Sequence, residues 1–468
     1  MRWPPPFRAL PNPRDVWAWG MFDLANQSFT LLINTLLFSV FFKTFLFDGV
    51  PGANTMWSAL VTCSMLMVVA IGPVVGVWTD RRARKKAAML LSAVVCVACT
   101  AALALLPSAQ AVGVAAALAI AASVYVPANF AFNIGENLLA SFLPEIASRS
   151  TIGRVSAIGW TMGYVGALAL LVITALAMLG FGLGETSSWR PLFVFAAAWF
   201  AVMAIPTALF LPERATPRPD AAGTNPITDA LRSTVRAVRS AWGFRDLRTL
   251  LLAFIVYAFG VQTIIFFASI IVSEDFGFTN TKLVIYVLQL TVTAGVGAVV
   301  AGAVQDRLGH VNTILIYLAV WVLTTVGLTA VAHLRACAPD PGSFPEWPVW
   351  LIGNGVGLGI GGIGTATRAC VGLFTPCHRS AEFFALWGFA YKLAGATGPL
   401  IFGVVRDWAG NVASLVALAC FFVVGAGMLN AVRPARGAQR AEEAEREAGV
   451  SGTHGPAGVP TQTMPGHP

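Results

Sequence analysis

The chain has 468 residues, 57% hydrophobic and only 11% charged, and its 30 Lys and Arg against 22 Asp and Glu leave a formal charge of +8. Soluble domains carry roughly 25% charged residues, so a fully water-exposed globule is excluded, as are intrinsic disorder, a fibrous protein and a small disulfide-stapled fold. A mean hydropathy of +0.73, with apolar blocks far longer than strands, points to a polytopic α-helical membrane protein.

In chain order, an Arg- and Pro-rich cytoplasmic segment (1–16) leads into an apolar block with no small-residue cleavage site, read as a first span and not a signal peptide. Spans are expected near 17–42, 57–79, 87–107, 111–143, 153–181 and 189–211, the first bundle of six filling 17–211. A polar linker, 212–247, follows. Within it Asn225 and Pro226 can start a helix, and Ile227, Leu231, Val235, Val238 and Trp242 then recur at helical spacing, with Arg232, Arg236 and Arg239 on another face. The spacing predicts an amphipathic basic helix suited to an anionic membrane surface, with a plain solvated linker helix as the alternative. A second bundle, 248–432, holds spans near 248–272, 281–304, 311–333, 347–373, 382–405 and 410–432, and 433–468 reads as a disordered cytoplasmic tail.

Most Lys and Arg fall on one set of alternate loops, which places both termini in the cytoplasm. The seven cysteines form no framework spacing, and Cys96-x-x-Cys99 lies in a span, so they read as small buried side chains. The five histidines form no ligand pair and no P-loop occurs, so no cofactor or metal is expected, and the basic residues read as cytoplasmic loops and not as a nucleic-acid face.

A short repeat divides the chain. Gly76, Asp80 and Arg81 after the second span correspond to Gly302, Asp306 and Arg307 after the eighth, each set in a Gly-x-x-x-Asp-Arg pattern. The glycine permits close helix approach, and the aspartate can accept bonds from the N-terminal amides of a neighbouring helix. This pattern resembles the loop motif of the major facilitator superfamily, with Ala83 standing where that family usually has glycine. A narrower resemblance, to the UMF1 group of vacuole-effluxer, autophagy-protein-22-like transporters, rests on three segments. They are Trp19 to Phe29, Leu143-Pro144-Glu145 with Gly153-Arg154 and Gly159-Trp160, and Glu382-Phe383-Phe384 with Lys392 and Gly398-Pro399. The resemblance implies an all-α integral membrane fold of about 12 helices in two pseudo-symmetric six-helix bundles, major-facilitator-like, with the first, fourth, seventh and tenth helices lining a cavity.

Few ionisable groups lie inside spans, where each costs about 2.5–3.5 kcal/mol on insertion scales. Asp23, Glu136, Arg368 and Lys392 are the clearest. Asp23 and Asn26 in one half, opposite Arg368 and Lys392 in the other, are expected to form a polar gate that an amphoteric solute breaks, with Glu136 carrying a coupling proton. The glycine-rich tenth span, with Gly357 and Gly361, and Pro399 in the eleventh are candidate gating elements, although close packing explains the glycines equally. A G-x-G-x-x-G at Gly357, Gly359 and Gly362 follows no strand and does not indicate nucleotide binding. The expected protein is a monomeric secondary transporter of a bacterial inner membrane, in contact with lipid, a small-molecule substrate and protons. The resemblance implies amino-acid efflux. A non-transporting scaffold on the same fold and an integral-membrane transferase remain as alternatives.

Overall fold

The computed structural model describes residues 12–147, 151–214, 226–340, 344–376 and 379–448, with Phe7 and Leu10. Among these residues there is no strand. Without water to satisfy backbone amides, apolar segments of this length close their hydrogen bonds internally as helices.

The first half comprises α1 (Pro13–Leu46), α2 (Ala53–Arg82), α3 (Lys85–Ala102), α4 (Val114–Ser141), α5 (Ile152–Gly180) and α6 (Arg190–Phe210). A linker helix, α7 (Pro226–Trp242), connects to α8 (Arg245–Phe276), α9 (Asn280–Leu308), α10 (His310–Cys337) and α11 (Trp347–Leu373). A final apolar stretch, Ser380–Leu429, is broken at Gly410 (φ 86°, ψ −178°), giving α12 (380–409) and α13 (411–429). Only glycine adopts that φ without a Cβ clash, so the two crossings turn on one residue. The break therefore falls at Gly410, and Pro399 lies within the helix α12.

Among the described residues, twelve crossings place the start of α1, the end of α13 and the linker helix α7 on one face, the terminal face. The main seams between the halves are α2 against α12 and α5 against α9, and α1 also meets α8. Within α1 the stretch Ser28–Leu37 is wound as a wider π-helix, a local irregularity common near functional sites.

The start of the tail is ordered, in contrast to the expectation for 433–468. Residues Pro434–Glu447 form α14, which buries Gly437, Ala441 and Ala444. Asp246 at the start of α8 holds it, accepting from the Arg433 backbone N–H at 2.8 Å and from the Arg436 guanidinium at 2.7 Å. The rest of the tail, 449–468, and the capping Asn225 lie outside the described residues.

Candidate functional site

A ladder of neutral polar side chains descends through the first half and ends on a charge of the second. In α1, Asn34 accepts from Tyr125 Oη at 2.9 Å and donates to Asn129 Oδ1 at 3.2 Å. Asn129 donates to Ser64 of α2 at 2.7 Å, and Asn133 returns a bond to the Asn129 carbonyl at 2.7 Å. From α12, the Lys392 ammonium donates to Asn133 Oδ1 at 2.5 Å and to Glu136 Oε2 at 3.1 Å. Asn129, Asn133 and Glu136 recur at four- and three-residue spacing, so one face of α4 carries them all. A part-buried ammonium still needs such partners, and here they come from the opposite half.

The expected gate is therefore rearranged. Lys392 meets Glu136 and Asn133, not Asp23. Asp23 turns toward α5, where a Cβ on Gly159 would stand 3.3 Å from its Oδ2, and it lies within electrostatic reach of Glu136. Asn26 is 1% exposed, and neither amide atom has a hydrogen-bond partner among the described residues. Arg368 is part-buried in α11 and makes no ion pair among the described residues. The glycines of α11 serve tight packing. A Cβ at Gly357 would overlap Thr293, and one at Gly361 the Ala294 carbonyl, so α11 is pressed against α9.

On the face away from the termini, polar contacts seal the halves. Asp407 of α12 accepts from the Thr55 backbone N–H at 2.6 Å and from the Asn54 amide at 2.8 Å. Thr62 donates to the Ala396 carbonyl at 2.7 Å, and Trp57 Nε1 to the Phe266 carbonyl at 3.0 Å. Beside this seam Arg406 donates to Asp275 from both terminal guanidinium nitrogens, at 2.6 and 3.1 Å, and to Glu274 at 3.0 Å. Lys43 of α1 reaches Glu274 from the first half at 3.7 Å.

On the terminal face the repeated motif is asymmetric. Asp80 pairs with Lys85 Nζ at 3.0 Å and does not take the amides of α3. Glu213, after α6, accepts from the Lys85 and Lys86 backbone N–H groups instead. Arg81 pairs with Asp229 of α7. Ala83 is left-handed (φ 51°, ψ 49°), which accounts for glycine as the usual residue in the resembled motif. A Cβ on Gly76 or Gly302 would meet nothing within 4 Å, so neither glycine supports a close contact in this conformation. Asp306 and Arg307 form no ion pair among the described residues, and the Gln305–His310 contact at 3.4 Å stands beside them.

Sequence reasoning missed Asn34, Tyr125 and Asn129 because neutral amides and a phenol carry no charge signal. It missed Arg406 and Asp275 because the apolar blocks end at 405 and 272. The Asn129, Asn133, Glu136 periodicity is the available clue to the first group.

Comparison with known proteins agrees with this architecture. The profile of the vacuole effluxer Atg22-like family matches residues 52–442. The chain is 23% identical over 418 residues to the uncharacterized MFS-type transporter YxiO of Bacillus subtilis, covering 87% of this chain and 92% of that one. It is 25% identical over 304 residues to autophagy-related protein 22 of Cryptococcus neoformans, covering 63% of this chain and 56% of that protein's length. Among solved structures, a point mutant of the nucleoside transporter NupG superposes with a TM-score of 0.66 at 15% identity, covering 89% and 99% of the two chains. The xylose transporter XylE of E. coli, in an inward-open conformation, gives 0.63 at 14% identity over 89% and 95%. The chain belongs to the Atg22-like vacuole effluxer family and is a transporter of the MFS type.

Proposed function

We propose that this transporter moves a small amphoteric organic solute, with amino acids as the first class to test, by alternating access around Lys392, Glu136 and Asn133. The observation that carries the reading is the Lys392 bridge, which joins α12 to α4 across the two halves inside the membrane. An ammonium and a carboxylate from opposite halves hold each other until a ligand supplies both charges. The solute carboxylate then takes Lys392 and its ammonium takes Glu136, so occupancy and separation of the halves become one event. Asn26, buried with an amide that has no hydrogen-bond partner among the described residues, offers a further donor and acceptor.

Glu136 is the proposed proton carrier, since Lys392 is the one cation paired with it among the described residues and Asp23 stands nearby as a second carboxylate. Loading Glu136 with a proton releases Lys392 toward the solute. The distribution of Lys and Arg makes the terminal face cytoplasmic, and the seal at Asp407 then closes the outer side. The direction proposed is export from the cytoplasm.

Counterflow of radiolabelled amino acids in sealed proteoliposomes tests this. Lys392→Ala and Glu136→Gln should each reduce exchange by tenfold or more while the protein stays folded, a loss of about 1.4 kcal/mol or more. Wild-type exchange in both variants would remove the site.

A further inference from the structure

On the outer flank of the first half, Val74 and Trp78 of α2, Leu91 and Val95 of α3 and Phe130 of α4 border an apolar groove of about 520 Å³. Ile227, in the first turn of α7, lines it as well. The groove volume lies within the range of about 300–1,000 Å³ that small ligands occupy.

Two cations stand at its terminal-face end. The Arg82 guanidinium sits 5.0 Å over the Trp78 ring, which holds the charge above the groove wall. Arg84 precedes Ala88, another lining residue, by one helical turn. Both arginines are exposed, and neither forms an ion pair among the described residues. The acids around them are engaged: Asp80 and Glu145 by Lys85, Asp229 by Arg81, and Glu213 by the first amides of α3. Among the described residues the mouth therefore presents net positive charge, and the carboxylates beside it already have partners that compete with the ammonium of a zwitterionic headgroup.

The linker helix fits the same surroundings. It packs on the protein through Ala230, Ala237 and Ala241, which are buried, and leaves Ile227, Leu231, Val235 and Trp242 exposed beside exposed Arg232, Arg236 and Arg239. An apolar stripe set to one side of the packed face, with arginines beyond it, places α7 at the level of lipid phosphates.

We propose that this groove binds an anionic phospholipid, one acyl chain lying along α2, α3 and α4 beneath Ile227 and the headgroup phosphate held by Arg82 and Arg84. Its lining does not include Lys392, Glu136 or Asn133, and it does not depend on the transported solute.

The test uses the full chain, purified in a neutral detergent, with thermal unfolding and native mass spectrometry as readouts. Dioleoyl phosphatidylglycerol should raise the melting temperature and remain bound, whereas dioleoyl phosphatidylcholine and glycerol phosphate should do neither. Arg82→Gln with Arg84→Gln should weaken phosphatidylglycerol binding about tenfold. Ala88→Phe, which fills the groove without touching the charges, should abolish retention of the long-chain lipid. Arg82→Lys with Arg84→Lys should keep most of the affinity. Equal effects of the two long-chain lipids would overturn the proposal, as would an effect of glycerol phosphate alone. Phosphatidylglycerol binding that survives both the charge and the groove variants would overturn it too.

Discussion

Asp407 on α12 accepts a 2.6 Å hydrogen bond from the backbone N–H of Thr55, the third residue of α2 in the other half of the molecule. The first turn of a helix has unsatisfied amides and the positive end of the helix dipole, so a carboxylate there is doubly favoured. A latch of this kind closes one face and must release for that face to open. Hydrogen bonds to a charged group contribute about 1.5–3 kcal/mol, so Asp407→Asn should shift the open population about tenfold or more. Ser58, fully buried beneath the seam, reports this when replaced by cysteine. Its labelling by a membrane-impermeant maleimide should accelerate in the Asp407→Asn background, and an unchanged rate would remove the latch.

The seam also depends on Gly403. A Cβ there would stand 2.6 Å from Ser58 Oγ and 2.7 Å from the Asn54 carbonyl, so α2 and α12 meet at backbone distance. Overpacking of this kind costs about 1–3 kcal/mol. Gly403→Ala should lower the melting temperature and slow solute exchange. Gly388→Ala, on the same helix with nothing within 4 Å, should do neither.

Arg406 and Asp275 are each 1% exposed at the side chain and bind each other bidentately. Removing Asp275 leaves the buried Arg406 guanidinium with Glu274 as its one acidic partner among the described residues, a loss of up to about 3–5 kcal/mol, whereas replacing both Arg406 and Asp275 with apolar residues is often neutral. Asp275→Ala should thus unfold at a markedly lower denaturant concentration than wild type. The double variant Arg406→Met/Asp275→Leu should recover most of the difference. Equal stability of the single and double variants would show that the pair is not coupled.

Ala83 is the one non-glycine residue with positive φ among the described residues. The left-handed conformation costs an L-residue about 1–2 kcal/mol, offset partly by the greater freedom of glycine in the unfolded chain. Ala83→Gly should therefore stabilise the α2–α3 turn by about 1 kcal/mol or less, measured by thermal unfolding. A lower melting temperature would mean that the methyl group makes a favourable contact outweighing the strain.

Much of the fold is legible because apolar block length is set by bilayer thickness, and the tenth block covers 347–373, where α11 lies. Hydropathy blurs ends that carry charge: α12 continues past Val405 through Arg406, and α8 continues past Val272 through Asp275, since each charge is neutralised by the other. The tail helix is hidden because its Arg- and Glu-rich sequence offers only a narrow face of small residues, Gly437, Ala441 and Ala444, and depends on Asp246 of α8. At the site, Glu136 and Lys392 stand out as charges in apolar surroundings, but their pairing does not. Which charges meet depends on helix rotation and tilt, and neither is written in periodicity alone.

The most direct measurement of rocking about the Lys392 bridge is a pair of spin-label distances in lipid nanodiscs, taken on a cysteine-replaced background. One pair, at Asp48 and Trp408, spans the sealed face, and the other, at Ala140 and Leu373, spans the terminal face; all four positions are exposed. Going from wild type to Asp407→Asn, the first distance should lengthen and the second shorten together. Two distance distributions that stay narrow and unmoved by that substitution would contradict alternating access.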